Sequence, residues 1–183
     1  MIKNFLLAAT LILPPSIISG NISVTDEAKD KTQLQEISIT AQKIEMPLDP
    51  DEVFCLAQNI YHEARGETEH GMIAVANVTL NRVDDPNFPG SVCGVVYQAK
   101  ERHGSPVRNA CQFSWYCDGR SDTIKEMPKF KKIYNLAKEV MRGKVDDITD
   151  GSTFYHANYV DPYWSQHFIK VAQIDSHIFY RKY

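Results

Sequence analysis

The chain predicts an α+β domain, with helices in its first half and a small antiparallel sheet near its C-terminus. Three observations carry that expectation. Apolar residues recur at helical spacing behind capping residues between 49 and 83, and again between 128 and 142. Short runs rich in β-branched and aromatic residues cluster between 153 and 180. Hydrophobic residues make up 43% of the chain and charged residues 23%, which is a globular composition.

The first twenty residues stand apart. Lys3 supplies an early positive charge, Phe5 to Leu13 is almost wholly apolar, and Ser19-Gly20 closes the stretch with small residues. This is the layout of a signal peptide over residues 1–20; the alternative is an uncleaved N-terminal anchor. Asn21 stands where a lipoprotein would carry its modified Cys, so lipid attachment is not expected. Residues 21–48 are polar and mixed in charge and read as a flexible linker, with one weak strand signal at Ile37 and Ile39. The domain is expected over 49–183, long enough for a single core.

Asp49-Pro50-Asp51-Glu52 is a strong helix start. Asp caps, Pro suits the first turn, and acids favour the positive end of the helix dipole. Val53, Leu56, Ala57, Ile60 and Ala64 then keep helical spacing up to Gly66. A second helix is expected from Glu69 to Val83, capped by Thr68, with Ile73, Ala76, Leu80 and Val83 inward. Residues 84–90 form a loop, 91–98 a short helix, and 99–124 are expected to be mostly loop. Pro128 to Arg142 reads as a third long helix, with Gly143 after it. Strands are expected over 153–156, 169–174 and 177–180.

Lys and Arg total 20 against 23 Asp and Glu, a net charge of −3, which argues against a nucleic-acid binder held by a large basic surface. No apolar run is long enough to span a membrane as a helix. Cys55, Cys93, Cys111 and Cys117 all lie in the domain. In an exported chain they read as two disulfides, and of their three pairings the spacing selects none.

The most informative segment is Tyr61-His62-Glu63-Ala64-Arg65-Gly66-Glu67. Glu63 follows Leu56 by seven residues, which at ~100° per residue returns it close to the apolar face. A carboxyl group held partly out of water has a raised pKa, the state a general acid needs near neutral pH. The competing reading pairs Glu63 with Arg65 or Arg82 as a structural ion pair. His62-Glu63 does not make the zinc-protease motif H-E-x-x-H, because Gly66 stands where the second His belongs. No nucleophile elbow, P-loop or dinucleotide fingerprint is present. Most aromatic residues fall at or after Phe113, several among polar neighbours. Trp115, Tyr159 and Trp164 are candidates for stacking on sugar rings, with core packing as the alternative.

The segment from Cys55 to Glu67 resembles the signature of the SleB-type, spore-cortex-lytic cell wall hydrolases. Ala74 to Val83, Phe88 to Gln98, Cys111 to Trp115 and His177 to Tyr180 are similar to further blocks of that family, in family order. The resemblance implies a fold like the lysozyme-like lytic transglycosylases and action on peptidoglycan glycan strands, between N-acetylmuramic acid and N-acetylglucosamine. It makes Glu63, the first Glu of E-A-R-G-E, the catalytic acid and base. His62 stands where cortex-lytic members often carry Gly, and a separate peptidoglycan-binding module is not expected. Glu67, Gln112, Ser114, Trp115, Tyr155, His156, Tyr159 and Trp164 are the candidate substrate-binding residues. Glu67 is the nearest second acid, with Asp118 and Asp122 more distant.

The reaction expected is lytic transglycosylation, needing neither metal nor organic cofactor. A plain glycosidase, an N-acetylmuramoyl-L-alanine amidase and a non-catalytic glycan-binding protein are the alternatives. The expected partner is peptidoglycan, with no nucleic acid, and with membrane contact only through an uncleaved N-terminal segment. A monomer in the periplasm or cell envelope is expected, whether from a bacterium or from a phage that lyses one.

Overall fold

A computed structural model of the chain describes residues 47–183. The expected signal segment, nearly all of the linker and the weak strand at Ile37 and Ile39 lie outside the described residues. Helix α1 (Pro50–Ala64) starts as its sequence predicts, with Asp49 Oδ1 accepting the Asp51 backbone N–H at 2.9 Å. Helix α2 (Glu69–Asp84) is capped by Thr68, whose hydroxyl accepts the Gly71 N–H at 3.4 Å. The short α3 (Val92–Val96) is capped by Ser91. The last helix, α4 (Met127–Met141), begins and ends one residue earlier than the sequence suggests. It buries Phe130, Ile133, Ala137 and Val140, positions spaced by three and four residues.

Helix α2 is buried on more than the one expected face. Ile73 and Ala76 join the main core with Leu56, Ile60 and Ile133. Ala74 and Val78 pack on Phe179 of the sheet in a second cluster. Leu80 and Val83, expected inward, are only partly buried. A helix placed between two layers loses the polar face that a surface helix keeps, which is why a one-sided apolar stripe described it poorly.

The region 99–124 corrects the sequence expectation of a loop. Strands β1 (Ala99–Arg102) and β2 (Ser105–Cys111) form an antiparallel hairpin, followed by a 3₁₀ turn at Ser114–Cys117. Its strands are mostly exposed, so no alternation of apolar and polar residues marked them. The turn residues His103 and Gly104 both have positive φ, 54° and 73°, as a tight two-residue hairpin turn requires.

The second sheet is the expected one. Strands β3 (Phe154–Ala157), β4 (Ile169–Ile174) and β5 (His177–Arg181) are antiparallel in the order β3-β5-β4. Tyr155 pairs with Phe179 and Ala157 with His177, so these four side chains share one face.

Hydrogen bonds join this sheet to the turn between α1 and α2. Asp175, at the β4–β5 turn with φ 49°, accepts hydrogen bonds from the backbone N–H and hydroxyl of Thr68 at 2.9 and 2.6 Å. The turn lies so close to α2 that a Cβ on Gly71 would sit 2.5 Å from Asp175 Oδ2, so only glycine fits there. The disulfides pair Cys55 with Cys93 and Cys111 with Cys117. Among the described residues no helix is long and apolar enough to cross a membrane.

Candidate active site

A cavity of about 480 Å³ opens where the end of α1, the body of α2, the 3₁₀ turn and the second sheet meet. Glu63 stands at its wall in the last turn of α1, half-buried, as its distance from Leu56 predicts. The Tyr155 hydroxyl donates to Glu63 Oε2 at 3.0 Å. Burial pushes the Glu63 carboxyl above its ordinary pKa, and the Tyr155 hydrogen bond and the Arg82 charge pull it part of the way back. Burial, together with the Glu63 charge, drives the Tyr155 phenol well above its own ordinary value. Tyr155 therefore keeps its proton and remains a hydrogen-bond donor to Glu63.

Among the described residues no contact ion pair holds Glu63, and Arg82 acts on it only through its charge at longer range. Arg65 donates to the Tyr61 carbonyl at 3.2 Å and pairs with Glu126 at 3.8 Å. Arg82 donates from Nε to the Thr153 carbonyl at 2.7 Å. Neither cation lies within salt-bridge distance of Glu63.

The segment between Cys111 and Cys117 supplies Gln112, Phe113, Ser114 and Trp115 to the lining. Trp115 is fixed from beneath by Asn59, which is wholly buried in α1. Its side-chain oxygen accepts the indole N–H at 3.0 Å, while its amide donates to Thr79 Oγ1 on α2 at 3.1 Å. That leaves no slack for the ring, since breaking one bond strands a buried polar group. His62 stacks on the Trp115 ring with centroids 4.5 Å apart, and burial lowers its pKa.

Strand β3 supplies Tyr155, His156 and Ala157. His156 Nδ1 lies 2.9 Å from the Ala157 carbonyl, which can only accept, so Nδ1 carries the proton. Its Nε2 lies 3.0 Å from the Tyr180 hydroxyl. Tyr159 stands at the rim, 82% exposed.

Two of the expected substrate-binding residues stand elsewhere. The Glu67 carboxylate accepts from the Ser176 backbone N–H at 3.2 Å and from its hydroxyl at 2.6 Å, so it ties down the β4–β5 turn. Trp164 packs in an aromatic cluster with Phe154, His156, Phe168 and Tyr180, and is not part of the cavity lining. Aromatic residues in polar sequence surroundings thus divide between cleft and packing, and local composition does not separate them. Of the two distant acids, Asp118 lines the cavity and Asp122 does not.

Sequence reasoning did not select Arg82, His177 or Asn59 as site residues. Arg82 is 4% exposed yet lines the cavity. The usable signal was a cation seven residues after Val75 and four after Val78, and so on a core-facing side of α2. His177, 7% exposed, also lines the cavity, with its ring edge-on to Tyr155 and its Nδ1 without a partner. Burial lowers its pKa, which favours the neutral ring.

Comparison with known proteins gives the chain a family and a shared fold. The profile of the cell wall hydrolase family matches residues 66–180, a stretch that begins just after Glu63. The spore cortex-lytic enzyme of Bacillus subtilis (strain 168) is 48% identical over 48 residues, 26% of this chain and 16% of that protein. The spore cortex-lytic enzyme of Halalkalibacterium halodurans is 36% identical over 73 residues, 40% of this chain and 22% of that protein. The chain therefore spans less than a quarter of the length of these curated relatives.

Two solved structures share the fold. The catalytic domain of the Bacillus cereus SleB protein superposes with a TM-score of 0.53 at 24% identity, covering 74% of this chain and 94% of that one. The catalytic domain of the germination-specific lytic transglycosylase SleB from Bacillus anthracis gives 0.54 at 26% identity, covering 74% and 98%.

Proposed function

This chain belongs to the cell wall hydrolase family, and from that premise we propose that it cleaves peptidoglycan glycan strands between N-acetylmuramic acid and N-acetylglucosamine, as a lytic transglycosylase with Glu63 as acid and then base. The single observation behind the assignment is a half-buried carboxyl with a raised pKa, hydrogen-bonded by Tyr155, at the wall of a cavity large enough for a sugar unit.

Glu63 gives its proton to the glycosidic oxygen as the bond to the muramic acid C1 breaks, and charge builds on that sugar as an oxocarbenium-like centre. The C6 hydroxyl of the same sugar attacks C1 and returns its proton to Glu63. The product is a 1,6-anhydro sugar, and the enzyme is back in its starting state. Tyr155 holds the carboxyl in one orientation through both transfers. Trp115, fixed by Asn59, 7% exposed and covered on one face by His62, offers a sugar an apolar edge of the cavity wall, and Gln112 and Ser114 offer hydrogen bonds to hydroxyl and acetamido groups.

A second reading rests on Asp118, a further carboxyl in the same lining. A second carboxylate can activate water, which would make the reaction plain hydrolysis. Mass spectrometry of digested peptidoglycan separates the readings. Anhydro-muramic ends are the expected product; reducing ends alone would establish hydrolysis, and released stem peptides an amidase.

The same proposal assigns residues 1–20 to export, 21–48 to a linker and 49–183 to catalysis, in the periplasm or cell envelope. Two disulfides among four cysteines suit a compartment outside the reducing cytoplasm.

A further inference from the structure

Arg82 is the least comfortable charge in the domain. It is 4% exposed, and its one hydrogen bond runs from Nε to the Thr153 carbonyl. Its Nη1 is buried without a partner. The guanidinium carbon lies 5.0 Å from the centre of the Phe113 ring, 5.4 Å from Phe88 and 6.0 Å from Phe154. Aromatic rings offset part of the cost of burying a cation, but among the described residues no carboxylate stands at ion-pair distance from Arg82. Burial lowers its pKa only to about 10, so Arg82 stays charged at any working pH. A buried cation left this poorly compensated is destabilising, and proteins retain such violations mainly at functional sites.

The chemistry of Glu63 supplies the missing negative charge for part of each cycle. While Glu63 is protonated, the pocket holds an uncompensated cation. Once the proton has gone to the glycosidic oxygen and the C–O bond has broken, Glu63 is a carboxylate in the same buried surroundings. The proton of the attacking hydroxyl then restores the acid. We propose that Arg82 is the positioning residue that supplies the countercharge to the Glu63 carboxylate between proton loss and proton return. This inference rests on Glu63 being the acid. Fixed charge aimed at where charge develops lowers a barrier without reorganisation during the reaction.

The other ionisable groups around the cavity do not take this role. Tyr155 on β3 is a neutral donor, and both ring nitrogens of His156 beside it are taken up by the Ala157 carbonyl and the Tyr180 hydroxyl. Burial favours the neutral form of His177 on β5 and of His62 on α1, and Asp118 has the wrong sign. Arg82 on α2 is the permanent cation of the lining.

The test uses the full chain, with rates of peptidoglycan clearance measured across pH for Arg82→Gln, Arg82→Lys and Glu63→Gln. The alkaline limb of the profile reports loss of the proton from Glu63. Removing a nearby opposite charge should move that limb up by about one pH unit and lower kcat about tenfold, with KM little changed. Arg82→Lys keeps the charge but not the fork that reaches Thr153, so it should retain the wild-type limb. If the Gln variant fails to fold, Arg82→Met, which keeps the apolar stem and removes the charge, takes its place with the same expected shift.

A folded Arg82→Gln with an unmoved limb overturns the proposal, as does a rise in KM alone, which would make Arg82 a substrate ligand. An Arg82→Lys limb that moves up overturns it as well, since the effect would then follow geometry rather than charge. Glu63→Gln separates this inference from the reading it rests on. If that variant still clears peptidoglycan, the acid assignment fails. If it is inactive while the charge-removing Arg82 variant keeps the wild-type limb, only the countercharge fails.

Discussion

Glu63 and Arg82 stand on helices whose positions are set by the core, whereas Gln112, Phe113, Ser114 and Trp115 stand on a short irregular segment between two bonded cysteines. On the helices, precision comes from burial. Leu56 and Ile60 fix the rotation of α1, and Val75 and Val78 that of α2, so the side chains one or two turns on have little choice of direction. In the segment no regular hydrogen-bond ladder does this work. Precision comes from one disulfide that joins the two ends of the segment and from the Asn59–Trp115 hydrogen bond in the middle. The comparison teaches that the two charged groups on the helices are as stable as the fold, while the cavity-lining groups between the cysteines depend on a local clamp that can be released separately.

The largest effect expected from this contrast is at Glu63. Glu63→Gln keeps the shape and the Tyr155 contact but removes the transferable proton. Lytic rate should fall by about 10²–10⁴-fold, the usual contribution of a general acid–base group. Far-ultraviolet circular dichroism should be unchanged. Clearance of peptidoglycan at more than a tenth of the wild-type rate would remove Glu63 from the mechanism.

The two disulfides break the comparison in opposite ways. Cys55–Cys93 spans 38 residues and joins α1 to α3, and Cys111–Cys117 spans 6. Chain-entropy arguments give about 4 kcal/mol of stability for the first and about 2 kcal/mol for the second. Replacing both cysteines of the first pair by Ser should therefore cost more in urea unfolding. Replacing both of the second should cost more in activity, because it frees the segment that carries Trp115. If the Cys111/Cys117 variant loses stability and keeps its rate, the clamp is not what positions the cleft.

The smallest effect is a pH dependence of stability at Glu63. Its folded pKa is raised, so the folded state binds the proton more tightly than the unfolded chain does. The stabilisation linked to this is present below the unfolded pKa of about 4.3 and is lost as pH rises from there through the folded value. Above that window wild type carries a penalty that Glu63→Gln lacks. The Gln variant should be the more stable of the two near neutral pH, with the difference closing as pH falls below 4. Parallel stability curves for the two proteins across that range would contradict the buried-acid description.

Much of the local structure was legible because its causes are local. Asp49 and Thr68 cap helices where their sequences say so, and the strands at 154–157, 169–174 and 177–181 follow from their β-branched and aromatic content. The direction of Glu63 was legible for the same reason, since helical rotation ties it to Leu56. The hairpin at 99–111 was not, because exposed polar strands carry no periodic signal. Neither were the duties of Glu67 and Trp164. Glu67 meets Ser176, 109 residues later, and Trp164 meets Phe154 and Tyr180 across the sheet. Composition around either residue does not reveal who its neighbour will be.

From its sequence alone this protein was bound to be an α+β domain with an acid on the inner edge of its first helix, because capping, periodicity and rotation act within a few residues. Only the tertiary structure decided which cysteines pair, that Tyr155 reaches Glu63 across 92 residues of chain, and that Arg82 lies buried beside them without a carboxylate to hold it. Those outcomes depend on how helices and sheet pack, and packing is a property of surfaces brought together from distant parts of the chain.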